Sequence, residues 1–291
     1  MEGMTGRARG GRSVATVLWG ASHPGPTVVV TLLAFALGVA AGVAALHLTL
    51  LTVAVFFGQL SVGISNDVID VGRDRSVGRT DKPLVSGRVT PGQAWAAAYG
   101  CLVIAVVLSA WIGLGMLAAH ALFLASAWAY NAGMKSTPIS IIPFIVGFGA
   151  FPSLAPLSAE PPAPAAPWAW IAGGALGAAI HLVNVLPDLD NDASTGVRGF
   201  PHIVGARAST LLAIGGLAVG MVATLSGPVH GDLAAVTPLA WVFFGAALAL
   251  AGGTVVVAFA RPRARVLFPL VMAAALLLAV QLVATGGALA A

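Results

Sequence analysis

Apolar residues in this chain come in long unbroken runs, and Gly, Pro and charged residues mark where each run stops. A helix crossing the hydrocarbon layer needs ~20 such residues. Runs of about that length occupy 26–43, 45–65, 93–113, 115–131, 138–157, 166–186, 207–226, 233–257 and 264–286. The pattern predicts an all-α, polytopic membrane bundle of about nine transmembrane helices. It forms one integral membrane domain over 1–291, with a cytoplasmic tail at 1–13. The apolar stretch from Val14 to Gly20 is cut by Ser22, His23, Pro24, Gly25 and Pro26. A full span follows it, which reads as a retained first helix rather than a cleaved leader. The Pro-rich stretch from Ala155 to Trp168 reads as a stiff connector.

Composition agrees with that pattern. The chain is 58% hydrophobic and 8% charged, against roughly 25% charged in ordinary globular domains. The net charge of +4 does not imply nucleic acid, because the basic residues stand singly between apolar runs rather than on one face. In the nine-span plan all 14 Lys and Arg residues fall on one side. They lie in the tail, in 66–92, at Lys135, in 198–207 and at Arg261, Arg263 and Arg265. The positive-inside rule puts that side in the cytoplasm of an integral inner-membrane protein. An odd number of spans sends the C-terminus outside. Cys101, the only cysteine, excludes disulfides and cysteine metal clusters.

Six of the ten acidic residues sit in two short segments, and a seventh, Asp81, follows the first. One segment runs from Asn66 through Asp67 and Asp70 to Asp74. The other runs from Asn184 through Asp188 and Asp190 to Asp192. A shift of 118 residues lays one on the other. Asn66 then meets Asn184, Asp70 meets Asp188, and Asp74 meets Asp192. Ser76, Gly78, Pro83 and Gly87 meet Ser194, Gly196, Pro201 and Gly205. Seven identities in 22 positions, four spans apart, indicate a parallel internal repeat with both copies on the same side.

Asn, Asp and Asp at i, i+4 and i+8 share one helix face. An Asp at a helix centre in the bilayer costs ~2.5–3.5 kcal/mol, so several together call for a neutralising cation. Hard oxygen donors without Cys or His select Mg²⁺, which substrate phosphates commonly complete. Two such stripes facing across a cavity would clamp a diphosphate. The candidate metal ligands are Asn66, Asp67, Asp70, Asp74, Asn184, Asp188 and Asp192, with Asp70, Asp74, Asp188 and Asp192 catalytic. Of the basic residues that follow, Arg79, Lys82 and Arg198 are candidates for phosphate binding, while Arg88 and Arg207 read as topological anchors. His23, His47, His120, His181, His202 and His230 read as packing or interfacial residues, with His181 the first to test.

These motifs resemble the UbiA superfamily of intramembrane prenyltransferases. Asn66 to Asp74 matches its NDxxDxxxD motif, and Arg79 to Arg88 is similar to its R/K-P-L-x-S-G segment. Asp188 to Asp192 fits its second DxxxD motif. Tyr130 with Met134 and Lys135, followed by Pro143 to Pro152, is a smaller match. The resemblance covers about 55 to 210. It implies a helical bundle around a lipid-opening cavity, with Mg²⁺ as cofactor and an isoprenyl diphosphate donor. Arg79, Lys82 and Lys135 would bind the diphosphate, with Tyr130 nearby, and the isoprenyl group would pass to an acceptor the sequence does not identify. Lys82 stands where Arg is common, and Ser136 where many relatives carry a second basic residue. Two other readings stay open: cyclisation of the same donor without an acceptor, and transport of a cation or organic anion.

Overall fold

The computed structural model describes residues 13–76, 78–79, 82–261, 263–286 and 288–291, with only the backbone of Asn191 and Ser194. The expected tail, apart from Ser13, and Asp81 lie outside the described residues. Eleven α-helices form among the described residues, with no β-strand. They are α1 (Val14–Ala21), α2 (Pro24–Ala40), α3 (Ala45–Ser76), α4 (Pro91–Ile112), α5 (Leu114–Ala132) and α6 (Ile142–Ala150). Then come α7 (Pro167–Val185), α8 (Leu189–Ser194), α9 (Phe200–Ser226), α10 (Pro238–Ala260) and α11 (Leu267–Thr285).

Each of the nine predicted runs carries helix: α2 to α7 and α9 to α11. Six elements are long and apolar enough to cross a membrane, namely α3, α4, α7, α9, α10 and α11. The pair α1–α2, bent by 70° at the Ser22–His23 break, passes only as one broken span, and Ile142–Ser158 is shorter. The chain is therefore a multi-pass membrane protein. Thr90 caps α4 in a reciprocal box with Gln93, and Thr237 caps α10 ahead of Pro238. Both arrangements satisfy first-turn N–H groups that a helix start leaves unpaired.

Two predicted boundaries, and the reading of the second acidic segment as one helix face, need correction. Helix α3 continues to Ser76 instead of stopping at 65, because its acidic turns pair with basic side chains and need not leave the helix. Helix α9 starts at Phe200 rather than 207 and breaks at Gly205, where φ is 80°. The second acidic segment is not one continuous α-helix. Helix α7 ends at Val185, a 3₁₀ turn covers Leu186–Asp188, and α8 follows. Pro187 is the cause: it lacks an N–H, and its ring clashes with the carbonyl four residues back.

Neighbouring helices pack in sequence from α2 to α7, then α9, α10 and α11, and α11 packs back on α2. That contact closes a ring. Lipid gives no hydrophobic drive for helix association, so close packing of small residues supplies it. On α7, a β-carbon at Gly173 or Gly177 would stand 2.1 or 2.4 Å from the carbonyl oxygens of Phe148 and Phe144. On α3, one at Gly63 would stand 2.2 Å from the Ser22 carbonyl oxygen. Contacts this close fix α6 on α7, and the α1–α2 bend on α3.

Candidate active site inside the ring

The i, i+4 spacing on α3 turns Asn66, Asp70 and Asp74 toward a cavity of about 430 Å³ inside the ring. Asn184, Asp188 and Asp192 line the same cavity, as do Arg79, Lys82, Tyr130 and Lys135. The 3₁₀ turn at Pro187 does not prevent this, since residues on both sides of it still reach the cavity. Two candidate residues are not brought in. Asp67 sits one residue off the stripe and is 2% exposed. It accepts a hydrogen bond from Lys82 Nζ at 2.7 Å and lies 3.1 Å from His23 Nε2. Arg198 is exposed and does not line the cavity.

The charges around Asp70 are tightly arranged. Arg73 Nη2 donates to Asp70 Oδ2 at 2.9 Å, and Lys135 Nζ donates to Asp70 Oδ1 at 2.5 Å. Burial lowers the pKa of Lys135, while the Asp70 carboxylate works to raise it. Across the cavity, burial raises the pKa of Asp192; Arg73 opposes that shift and Asp188 adds to it. His202 faces Asp192 with Nε2 4.0 Å from Oδ2. Its Nδ1 accepts the Gly199 N–H at 3.1 Å, so the neutral ring carries its hydrogen on Nε2, toward the carboxylate. Asp190 points away and pairs with Arg263 from the α10–α11 loop.

Several cavity residues received no functional role from the sequence, although His181 was singled out for testing. Arg73 had a signal, being a base inside the first acidic segment three residues after Asp70. Asn131 donates to the Val62 carbonyl at 2.9 Å and to Ser65 Oγ at 3.0 Å, tying α5 to α3 beside the acids. Ser140 Oγ accepts the Phe200 N–H at 2.8 Å and lies 3.1 Å from His181 Nε2. It joins the Lys135 loop to α7 and α9. His23 lines the cavity only because the α1–α2 bend holds it in the left-handed region, with φ at 55°. His181 is fully buried against Tyr130 and Phe144, with ring centroids 5.5 and 4.8 Å away. Phe123 and Phe148 extend this aromatic wall. Phe148 and Ile180 also line a smaller apolar pocket of about 70 Å³ on the side away from the acids.

Among the described residues, no three His, Cys, Asp or Glu side chains converge into a cage for a metal ion. Magnesium does not need one. It takes one or two carboxylates and completes its octahedron with waters and phosphate oxygens. Carboxylates and amide oxygens on both sides of one cavity, with lysines and arginines among them, fit that coordination. Asp70, Asp74, Asp188 and Asp192 would hold the ions, with Asn66 and Asn184 beside them.

The fold and the cavity define a class: a helical membrane protein whose ring of helices encloses a polar, acid-lined chamber. The chain belongs to the UbiA prenyltransferase family, whose model matches residues 27–268. A digeranylgeranylglyceryl phosphate synthase of Methanopyrus kandleri is 30% identical over 160 residues, 51% of this chain and 56% of that protein. The match thus spans little more than half of that relative. The chain is also similar to the apo structure of a UbiA homolog from Aeropyrum pernix K1, with a TM-score of 0.74 and 19% identity. That likeness covers 89% of this chain and 98% of the other. A UbiA homolog from Archaeoglobus fulgidus, solved bound to GPP and Mg²⁺, matches at TM-score 0.70 and 16% identity. The covered shares are 93% and 98%.

Proposed function

We propose that this protein transfers an isoprenyl group from an allylic polyprenyl diphosphate to an acceptor within the membrane, releasing diphosphate. The observation that carries this reading is the meeting of both Asn-Asp-Asp sets with Lys82, Arg79 and Lys135 around one cavity. Mg²⁺, when bound, supplies positive charge to the leaving diphosphate. Lys82, Lys135, Arg79 and Arg73 donate to phosphate oxygens as the carbon–oxygen bond breaks and its electron pair stays on the diphosphate. The rings of Tyr130 and Phe144 face the allylic cation with their negative π-surfaces. The surrounding apolar helices exclude water, so the acceptor's electron pair forms the new bond and the proton the acceptor gives up leaves with the diphosphate.

The finer architecture belongs to the same proposal. The protein spans the membrane nine times, with the N-terminus and the acid-lined mouth cytoplasmic, which the one-sided Lys and Arg distribution supports. The two acidic segments are copies of one unit. Gly78 and Gly196, 118 positions apart, both adopt positive φ (70° and 84°), as do Gly87 and Gly205 (72° and 80°). Positive φ at equivalent glycines after each motif supports that reading, although Gly205 lies at a kink inside α9 and Gly87 after a 3₁₀ turn.

Cyclisation of the donor with no acceptor is the second reading, favoured by the aromatic wall of Phe123, Tyr130, Phe144 and Phe148. Purified protein with Mg²⁺ and a panel of isoprenyl diphosphates, with and without a membrane lipid extract, separates the two. Diphosphate release only with the extract supports transfer, and release without it, together with a terpene product, supports cyclisation. No release under either condition would overturn both.

A further inference from the structure

The two acidic motifs share a cavity but differ in their ion pairs. In the first, both oxygens of Asp70 are engaged, Oδ1 by Lys135 and Oδ2 by Arg73. Asp67 behind it is engaged by Lys82. Asp74, one turn on, shares its surroundings with Lys82, Arg73 and Arg79. The second motif is different. Among the described residues, no Lys or Arg lies within ion-pair distance of Asp188 or Asp192, and His202 Nε2 stands 4.0 Å from Asp192 Oδ2. Among the described residues, the Arg partner of this segment is Arg263, which goes to Asp190 on the outer face. Among the described residues, direct pairs with Lys or Arg are therefore concentrated on Asp67 and Asp70 of the first motif, while Asp188 and Asp192 have none, and Asp192 feels Arg73 and Lys135 only across the cavity.

We propose that the motifs fill in a fixed order. Asp188 and Asp192 take a divalent cation from solution. Asp70 takes one only after a diphosphate has drawn Arg73 and Lys135 away. This rests on the diphosphate chemistry proposed above and adds a rule for how the site assembles. A metal ion approaching Asp70 alone must displace a cation, and the displaced Lys135, 11% exposed, has little water to receive it. A diphosphate removes that obstacle. Its oxygens accept the same donors, both of which line the cavity, and the carboxylate is released for metal. Diphosphate and the first-motif metal thus raise each other's affinity, as linkage demands.

Equilibrium dialysis of the full-length protein against Mn²⁺, with and without inorganic diphosphate, tests the order. The excess of manganese on the protein side counts bound ions whatever the free anion chelates. Wild type should hold one ion per chain without diphosphate and two with it. D188N should lose the first ion, and D70N should hold one ion under both conditions. The double variant R73Q/K135Q, in which Asp70 has no counter-ion, should hold two ions without diphosphate. Two ions on wild type without diphosphate would overturn the order alone. So would loss of the first ion in D70N rather than D188N. No manganese under either condition would overturn the metal–diphosphate reading itself.

Discussion

Lys82 Nζ donates a 2.7 Å hydrogen bond to Asp67 Oδ1, so the loop after the first motif folds back onto the helix that carries it. Asp67 stands next to Asn66 in sequence, yet it faces Lys82 and His23 rather than the cavity stripe. Its carboxylate therefore aims a lysine, while Asp70 and Asp74 face the cavity.

A double-mutant cycle tests that division of labour. Lys82→Gln should cost a charge-assisted contact, ~1.5–3 kcal/mol, or about 10- to 150-fold in kcat/KM. Asp67→Asn should cost a similar amount, and the double variant little more than either, because paired groups are not additive. Arg207→Gln, at an exposed position on α9, is the control and should change little. If Asp67→Asn were instead as damaging as Asp70→Asn, and additive with Lys82→Gln, Asp67 would be a metal ligand after all.

Asp70→Ala and Asp188→Ala should each lower turnover by at least about 10²–10³-fold, the scale seen when one stabilising group is removed from a developing charge. Both variants should still insert and purify. EDTA should abolish activity and Mg²⁺ restore it. Near-normal turnover in either variant would remove that motif from the essential metal site.

The stripe of Asn66, Asp70 and Asp74 was legible because the i, i+4 spacing in a helix is a local property of the chain. The apolar runs gave the ring's helices for a similar reason, since the bilayer sets their length. What stayed hidden depends on tertiary folding. Nothing in the residues around Asp67 says that Lys82 will return to it. The place of His23 depends on a 70° bend and on Gly63 accepting the Ser22 carbonyl at short range. Arg198 looked equivalent to Arg79 in sequence, yet only Arg79 reaches the cavity. The apolar run 166–186 stopped just short of Pro187, but the i, i+4 spacing of Asn184, Asp188 and Asp192 pointed to one helix face where the chain makes a 3₁₀ turn.

Glycine contacts between helices give a stability prediction independent of catalysis. Gly173→Ala places a methyl group 2.1 Å from the Phe148 carbonyl oxygen, where backbone and not a side chain must move. The expected cost is typical of overpacking, about 1–3 kcal/mol. Gly245→Ala on α10 is the matched control, with nothing within 4 Å of the new carbon. A thermal unfolding series in one detergent should show a clear drop in Tm for the first and none for the second. Equal Tm values would mean that α6 and α7 do not pack as described.

Membrane orientation can be read with single cysteines once Cys101 is replaced by Ala. Ala163 lies in the connector before α7, and Arg198 lies between the second acidic motif and α9, where it is exposed. These positions fall at opposite ends of α7, an element long and apolar enough to cross the bilayer. An impermeant thiol reagent applied to intact cells should therefore label Ala163→Cys and spare Arg198→Cys. Permeabilised cells should label both, which shows that Arg198→Cys is accessible once the reagent enters. Labelling of Arg198→Cys alone from outside would reverse the orientation and put the acid-lined mouth on the external face. Labelling of both in intact cells would mean that α7 does not span, and the nine-span plan would fail with it.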